Sequence, residues 1–273
     1  MLACCPAPPR ALRRDRALTG SSDVDALSVV HVGQAAALLA SRSGVLVPVT
    51  AGPTGLAPGG LCVPDRAALS AVLGGWSGSH RVATIDLRSW HAAATAVELG
   101  IPAAVRAGVT AAQLAELDRG LPDQRAGFDA TQRAAELARG ALEAPPGELD
   151  ARVAMTVGAG IGTTPAGDDV ICGVLAGLDL LGHAGAHGRL GAAVTPLLAA
   201  TTRASRHLLA AAVTGRYTES LIGLAAALAS ASAPAVRDAL AVLRRGGASS
   251  GLDQATGLTA AIRAGSLAGA GAR

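Results

Sequence analysis

GAGIGTTPAGDDVICGVLAGL, Gly158 to Leu178, divides into two halves that obey different rules. In the first half, glycines at alternate positions (Gly158, Gly160, Gly162) permit backbone conformations barred to other residues and leave amides uncovered by side chains. Thr163, Thr164 and Pro165 follow; Thr164 suits a helix N-cap and Pro165 a first helical position. In the second half, Val170, Ile171, Val174, Leu175 and Leu178 predict a helix that is apolar nearly all round, and therefore buried. Gly173 and Gly177, four apart, allow another helix to approach closely.

A buried helix opening from a glycine-rich loop is suited to an anion, because free amides and the helix dipole both favour negative charge there. The hydroxyls of Thr163 and Thr164 add donors. Gly167-Asp168-Asp169 modifies this reading, since paired carboxylates in the first turn repel a bare phosphate. They fit three roles: holding Mg²⁺, capping amides, or orienting a substrate amine. Adjacent helical residues project about 100° apart, so the two aspartates should not share one role.

Away from this stretch, the 273 residues are half apolar with a mean hydropathy of +0.40, which predicts a compact globular chain. Aromatics are confined to Trp76, Trp90, Phe128 and Tyr217, so the core must be built from Leu, Val, Ile and Ala. Arg10, Arg13, Arg14 and Arg16 sit with the single acid Asp15 in the first twenty residues. Removing those four bases and one acid from totals of 23 and 20 leaves 19 of each, so the body is neutral and the high pI belongs to a tail. With no basic stripe and few aromatics, nucleic acid is not expected as a partner. Every base is Arg. The absence of Lys excludes a lysine nucleophile, a Schiff base and a Walker-type lysine. Cys4, Cys5, Cys62 and Cys172 show neither disulfide-framework nor metal-ligand spacing. Leu2-Ala3-Cys4 is read as no lipoprotein cleavage site, since no charged and apolar segment precedes it. Apolar runs are broken before they reach the roughly 18 residues of a membrane span. A soluble, cytoplasmic protein is expected.

The predicted fold class is α+β, with a small N-terminal β-rich domain followed by a larger, mostly α-helical domain. Residues 1–22 read as a disordered tail, 23–108 as the β-rich domain, and 109–265 as the helical domain carrying the site. β-like runs fall at Leu27–Val32, Val45–Thr50, Gly60–Val63 and Arg81–Leu87. Helices are expected at 110–119, 123–143, 149–157, 165–181, 190–214, 218–229, 235–245 and 252–264, with Pro145-Pro146-Gly147 as a firm break. The chain past Ser266 is expected to fray.

Two further segments carry candidate residues. Thr201-Thr202-Arg203-Ala204-Ser205-Arg206-His207 is a polar patch within the long helix at 190–214, where Arg203 and Arg206 suit a carboxylate or phosphate. Ser249-Ser250-Gly251-Leu252-Asp253 is a second small-residue turn into a helix, echoing the first loop. His183 and His187 have ligand spacing but lie among glycines and alanines, which reads as a loop.

The string at 158–178 resembles the Gly-Leu-Gly-x-Gly-Leu-Thr-Pro-Ser-Gly-Asp-Asp signature of a bacterial family that includes the AllH subunit of oxamate carbamoyltransferase. The spacing holds through Gly158, Gly160, Gly162, Thr164, Pro165, Gly167, Asp168, Asp169 and Gly173. The likeness extends over about residues 27–262, including the arginine-bearing segment and the Ser-Gly-x-Asp turn. Three positions depart from the pattern: Thr163 for Leu, Val170 for Phe, and Ala248 where the family has His.

The resemblance implies carbamoyl transfer between oxalurate and phosphate, giving oxamate and carbamoyl phosphate, in allantoin and purine breakdown. It also implies partner subunits and a small anionic substrate such as carbamoyl phosphate or oxamate. Asp168 and Asp169 are then the catalytic candidates. Gly160, Gly162, Thr163, Thr164, Gly167, Arg203, Arg206, Ser249, Ser250 and Asp253 are the substrate-binding ones. No structural metal site is expected, and the sequence leaves the cofactor open, Mg²⁺ being one possibility that the aspartates suit. Two other functions compete: a non-catalytic assembly or anion-binding subunit, and a Mg²⁺-dependent phosphotransfer enzyme.

Overall fold

The protein is seen in a computed structural model that describes residues 10–18, 26–41, 43–73, 82–84, 87–102, 109–121, 129–143, 145–230, 232–247 and 249–271. The chain divides into two compact units, Met1–Leu99 and Gly100–Arg273, and its class is α+β.

The first unit is built on a mixed sheet of seven strands: β1 (Arg13–Asp15), β2 (Ala26–Val32), β3 (Ala36–Ala40), β4 (Leu46–Ala51), β5 (Leu61–Val63), β6 (Val82–Thr84) and β7 (Thr95–Val97). Their order is β6-β2-β3-β4-β5-β1-β7. β2, β3 and β4 form an antiparallel meander, while β5 lies parallel to β4. Two short helices complete the unit, α1 (Arg66–Val72) and α2 (Leu87–Ala93). Leu27, Leu39, Val49, Leu61, Val63 and Trp90 are buried together. The turn before β5 needs glycine, because a Cβ on Gly60 would stand 2.5 Å from the Pro48 carbonyl oxygen.

Three strands, β1, β3 and β7, lie outside the β-like runs expected from the sequence. β1 lies inside the segment expected to be disordered. It is held between β5 and β7, and the buried Asp15 carboxylate accepts the Gly59 and Ala17 amides. β3 reads Ala-Ala-Leu-Leu-Ala, a helix-favouring composition overridden by pairing on both edges.

The second unit is helical: α3 (Ala111–Gly120), α4 (Ala130–Glu143), α5 (Pro146–Ala154), α6 (Ala166–Leu180), α7 (Ala184–Val194), α8 (Arg203–Val213), α9 (Glu219–Ala229), α10 (Ala233–Leu243) and α11 (Ser250–Gly271). Hydroxyl caps start several of them. Thr110 forms a reciprocal capping box with Gln113, and Thr202, Thr218 and Ser232 accept amides of their own first turns. α4 shows the one-sided burial of a surface helix, through Ala134, Leu137, Ala138 and Ala141. α6 shows the other pattern: every residue from Gly167 to Leu178 is buried.

The helix expected at 190–214 is broken. α7 ends at Val194, Pro196 lies in a 3₁₀ turn over Thr195–Ala200, and Thr202 caps a new helix. α7 begins at Ala184, so His187 is helical and not in a loop. α11 continues to Gly271, beyond the point where fraying was expected.

α6 and α11 meet backbone to backbone. A Cβ on Gly173 would stand 2.0 Å from the Gln254 carbonyl oxygen, and one on Gly257 2.1 Å from that of Val170. At Gly177 the Ala261 Cβ would be 2.6 Å away. Real side chains do not tolerate such distances, so these glycines set the helix separation. Gly173→Ala or Gly257→Ala is expected to destabilise the fold by about 1–3 kcal/mol or more through overpacking. Gly223→Ala in α9, where nothing stands within 4 Å, should stabilise it by about 0.4–1 kcal/mol. Urea unfolding of the three variants checks the contrast, and equal effects at Gly173 and Gly223 would contradict it.

Candidate functional site

The loop before α6 takes the backbone its glycines allow. Gly158, Gly160 and Gly162 have φ of 73°, 106° and 104°. Close approach adds a second requirement at two points. A Cβ on Gly160 would stand 2.8 Å from the Ala166 nitrogen, and one on Gly167 2.0 Å from the Thr156 carbonyl oxygen. The loop is thus folded back onto the start of its own helix.

That folding consumes some of the amides expected to face an anion. The Gly167 N–H donates to the Ala159 carbonyl at 2.9 Å, and the Gly158 N–H donates to Asp168 Oδ1 at 2.8 Å. The tip behaves differently: Gly160, Ile161, Gly162 and Thr163 are exposed, with Ile161 at 95%. The outward-facing part of the cradle is therefore the tip. Thr164 does not cap α6, whose N-cap is Pro165; its hydroxyl pairs with that of Ser250 at 2.6 Å.

The two aspartates diverge, as their 100° separation requires. Asp168, 1% exposed, is saturated: Oδ1 takes the Gly158 amide and Oδ2 takes the Thr201 hydroxyl. It fastens the loop to the entrance of α8, assisted by the Thr202 hydroxyl donating to the Thr163 carbonyl at 2.6 Å. Asp169, 2% exposed, turns towards α11. Its Oδ1 accepts from Gln254 Nε2 at 2.9 Å, while Oδ2 is buried with no hydrogen-bond partner among the described residues.

Burial pushes the Asp169 carboxyl up from 3.8 to about 7. Gln254, Ser250 and Thr164 pull the other way, and the nearby Asp253 adds to the rise. The Thr164 and Ser250 hydroxyls lie beside the carboxylate and bond to each other; neither closes a hydrogen bond on Oδ2. Cys172, one turn further along α6, is held well above the usual thiol range by burial and by both aspartates, so it is unsuited to nucleophilic work.

The other candidates separate into two groups. Ser250 and Asp253 come to Asp169 on the first turn of α11, and Asp253 is buried there. The Ser249 carbonyl accepts the Leu252 and Asp253 amides at 2.9 and 3.0 Å, so Ser249 shapes the turn. Arg203 is exposed at the first position of α8. Arg206 gives its guanidinium to the carbonyls of Leu198 and Ala199, at 2.8 and 3.2 Å, and secures the preceding 3₁₀ turn. Ala248 lies outside the described residues. His187 bonds the Ala212 carbonyl and the Tyr217 hydroxyl, both at 3.2 Å. Among the described residues no group of three His, Cys, Asp or Glu is placed to hold a metal ion.

Sequence reasoning missed Gln254. Its signal is its spacing on α11: it stands three residues before Gly257 and four before Leu258, on the face that meets α6.

Residues 156–262 match the model of the family described as oxamate carbamoyltransferase subunit AllH. The likeness read from the glycine-aspartate string is thus shown over the stretch that holds the loop, both aspartates, the start of α8 and the Ser250–Gln254 turn. No curated protein and no solved structure matches the chain. Among the described residues, no helix is long and apolar enough to cross a membrane.

The raised Asp169 pKa fixes the sign of a pH effect. Between about pH 4 and 7 the folded chain keeps a proton that the unfolded chain has lost, so this group's contribution makes stability fall as pH rises through that window. The fall is on the order of 4 kcal/mol for about three pH units. Asp169→Asn should therefore unfold at higher denaturant than the parent at pH 8, with the advantage vanishing near pH 4. Asp168→Asn, which weakens two bonds to a charged acceptor, should be less stable than the parent at pH 8. The reverse order of the two variants at pH 8 would contradict the assignment.

Proposed function

We propose that this chain is the AllH-like subunit of a cytoplasmic carbamoyl-transferring complex. It acts on oxalurate and phosphate, yielding oxamate and carbamoyl phosphate in purine breakdown. The observation that carries this reading is the coincidence of the family match at 156–262 with the whole of the candidate site. The local chemistry supports it. The exposed loop tip Gly160–Gly162 at the head of α6, with Thr163 and the exposed Arg203 of α8, favours an anion. Asp169, buried and titrating near neutrality, suits proton transfer.

In the reaction a phosphate oxygen forms a bond to the carbamoyl carbon. The bond from that carbon to the oxamate nitrogen breaks, and the nitrogen takes up a proton. Asp169 is the group assigned to move that proton. Asp168 is a positioning residue, since both its oxygens are spent on the protein.

A second reading, a non-catalytic assembly or anion-binding subunit, is favoured by Ile161. A branched apolar side chain held almost fully in solvent between two glycines suits burial against another protein.

The chain is to be incubated with oxamate and carbamoyl phosphate, alone and with the partner subunits of its complex, while oxalurate and phosphate are followed. Oxalurate formation by the complex, lost on Asp169→Asn, is expected. No oxalurate under either condition, beside a working positive control, contradicts transfer. Ile161→Asp that abolishes assembly, in a complex without turnover, supports the second reading.

A further inference from the structure

An acid that is 2% exposed does not itself reach a substrate in solvent, so a proton leaving Asp169 needs a carrier. The proton of the neutral acid belongs on Oδ2, because Oδ1 accepts the Gln254 N–H at 2.9 Å and Oδ2 has no hydrogen-bond partner among the described residues. The side chains that interact with this carboxyl are Gln254, Ser250, Thr164, Asp253 and Cys172. Gln254, Asp253 and Cys172 are buried. Thr164 and Ser250 are half-buried, so the way from Oδ2 to the surface runs past two hydroxyls.

A hydroxyl is suited to carry a proton, since it accepts on a lone pair while giving up its own hydrogen and is left uncharged. The Thr164 and Ser250 hydroxyls lie 2.6 Å apart, and either oxygen can be the donor, so the link works in both directions. Thr164 stands just before α6, where a threonine ordinarily caps; α6 has no side-chain cap bond, and the hydroxyl is turned to α11 instead. The order of the two follows from their neighbours. Ser250 exerts the larger pull on the Asp169 carboxyl, and Thr164 adjoins the exposed Thr163 of the loop tip.

We propose that the Ser250 and Thr164 hydroxyls form a proton relay joining Asp169 Oδ2 to the substrate at the glycine loop. The relay rests on the transfer reaction of Proposed function for its substrate, and on the chain's own hydrogen bonds for its path. As the bond from the carbamoyl carbon to the oxamate nitrogen breaks, Thr164 Oγ1 gives its proton to that nitrogen. Ser250 Oγ gives its proton to Thr164, and Asp169 Oδ2 gives its proton to Ser250. Both hydroxyls end as they began, and Asp169 ends as a carboxylate. The attacking phosphate sheds one proton, which restores Asp169 through solvent, so no further reactant is needed. Carbamoylation of oxamate runs the same path in reverse.

The assembled complex, supplied with oxamate and carbamoyl phosphate, tests the relay. Thr164→Val and Ser250→Ala are each expected to lower kcat by about a hundredfold or more, with KM for oxamate changed by less than about twofold. Thr164→Ser, which keeps a hydroxyl, is expected to hold most of the activity. A kcat within about threefold of the parent in both removal variants, a loss confined to KM, or a Thr164→Ser as slow as Thr164→Val would each overturn the relay. Aspartate carboxyl NMR on the chain alone gives a reading that needs no turnover. The Asp169 midpoint should rise in Thr164→Val and in Ser250→Ala, since each hydroxyl pulls the carboxyl down. The titratable groups around it, Asp253 on α11 and Asp168 and Cys172 on α6, are kept in both variants. Thermal unfolding confirms that each variant is folded, and either one serves if the other is not. A midpoint unmoved in both, in a complex that turns over, overturns the relay and leaves the transfer reaction standing. Raised midpoints in a complex without turnover support the path and remove the transfer reaction.

Discussion

The contact between α6 and α11 is made by backbone, and the site depends on it. Gly173 and Gly257 remove the side chains that would hold the helices apart, so each helix rests against carbonyls of the other. This closeness carries the first turn of α11 over the first turn of α6. Ser250 thereby reaches Thr164, and Gln254 reaches Asp169, across more than eighty residues of sequence. A wider crossing would leave two polar turns facing water. The narrow one dries them, and desolvation is the largest influence on the Asp169 carboxyl.

The same geometry divides labour between adjacent aspartates. Asp168 points to the α8 side and becomes part of the scaffold, holding Gly158 and Thr201. Asp169 points to the α11 side and keeps one oxygen unspent. The stretch from the loop into α6 is therefore two things at once: an exposed glycine tip, and a dry acidic recess behind it. The absence of any Lys fits this arrangement, since no buried ammonium competes for the recess.

Much of this was legible in residue types whose conformational demands are local. Alternate glycines, Thr-Thr-Pro and an apolar run specify a loop entering a buried helix, and the positive φ of Gly158, Gly160 and Gly162 is a conformation those glycines permit. What the sequence hid depended on partners distant along the chain. Ala36–Ala40 has helix-forming residues and is a strand because two neighbours pair with it. Arg13–Asp15 looked like charged tail and is ordered by pairing and by Asp15. Thr201 and Thr202 read as a polar face of one long helix; they lie at a helix start, where one binds Asp168 and the other caps. Arg206 looked available for a substrate and serves neighbouring carbonyls, a role visible only once the 3₁₀ turn is known. Gln254 carried no motif, and its place beside Asp169 follows from the helix crossing.

The account turns on Asp169 being a dry carboxyl that titrates near neutrality while its neighbour is structurally committed. Carboxyl ¹³C NMR of the aspartate-labelled chain, titrated from about pH 3 to 9 and assigned by difference against Asp169→Asn, measures this directly. The account predicts an Asp169 midpoint near 7. A midpoint near 4, roughly the value of a solvated aspartate, would contradict it.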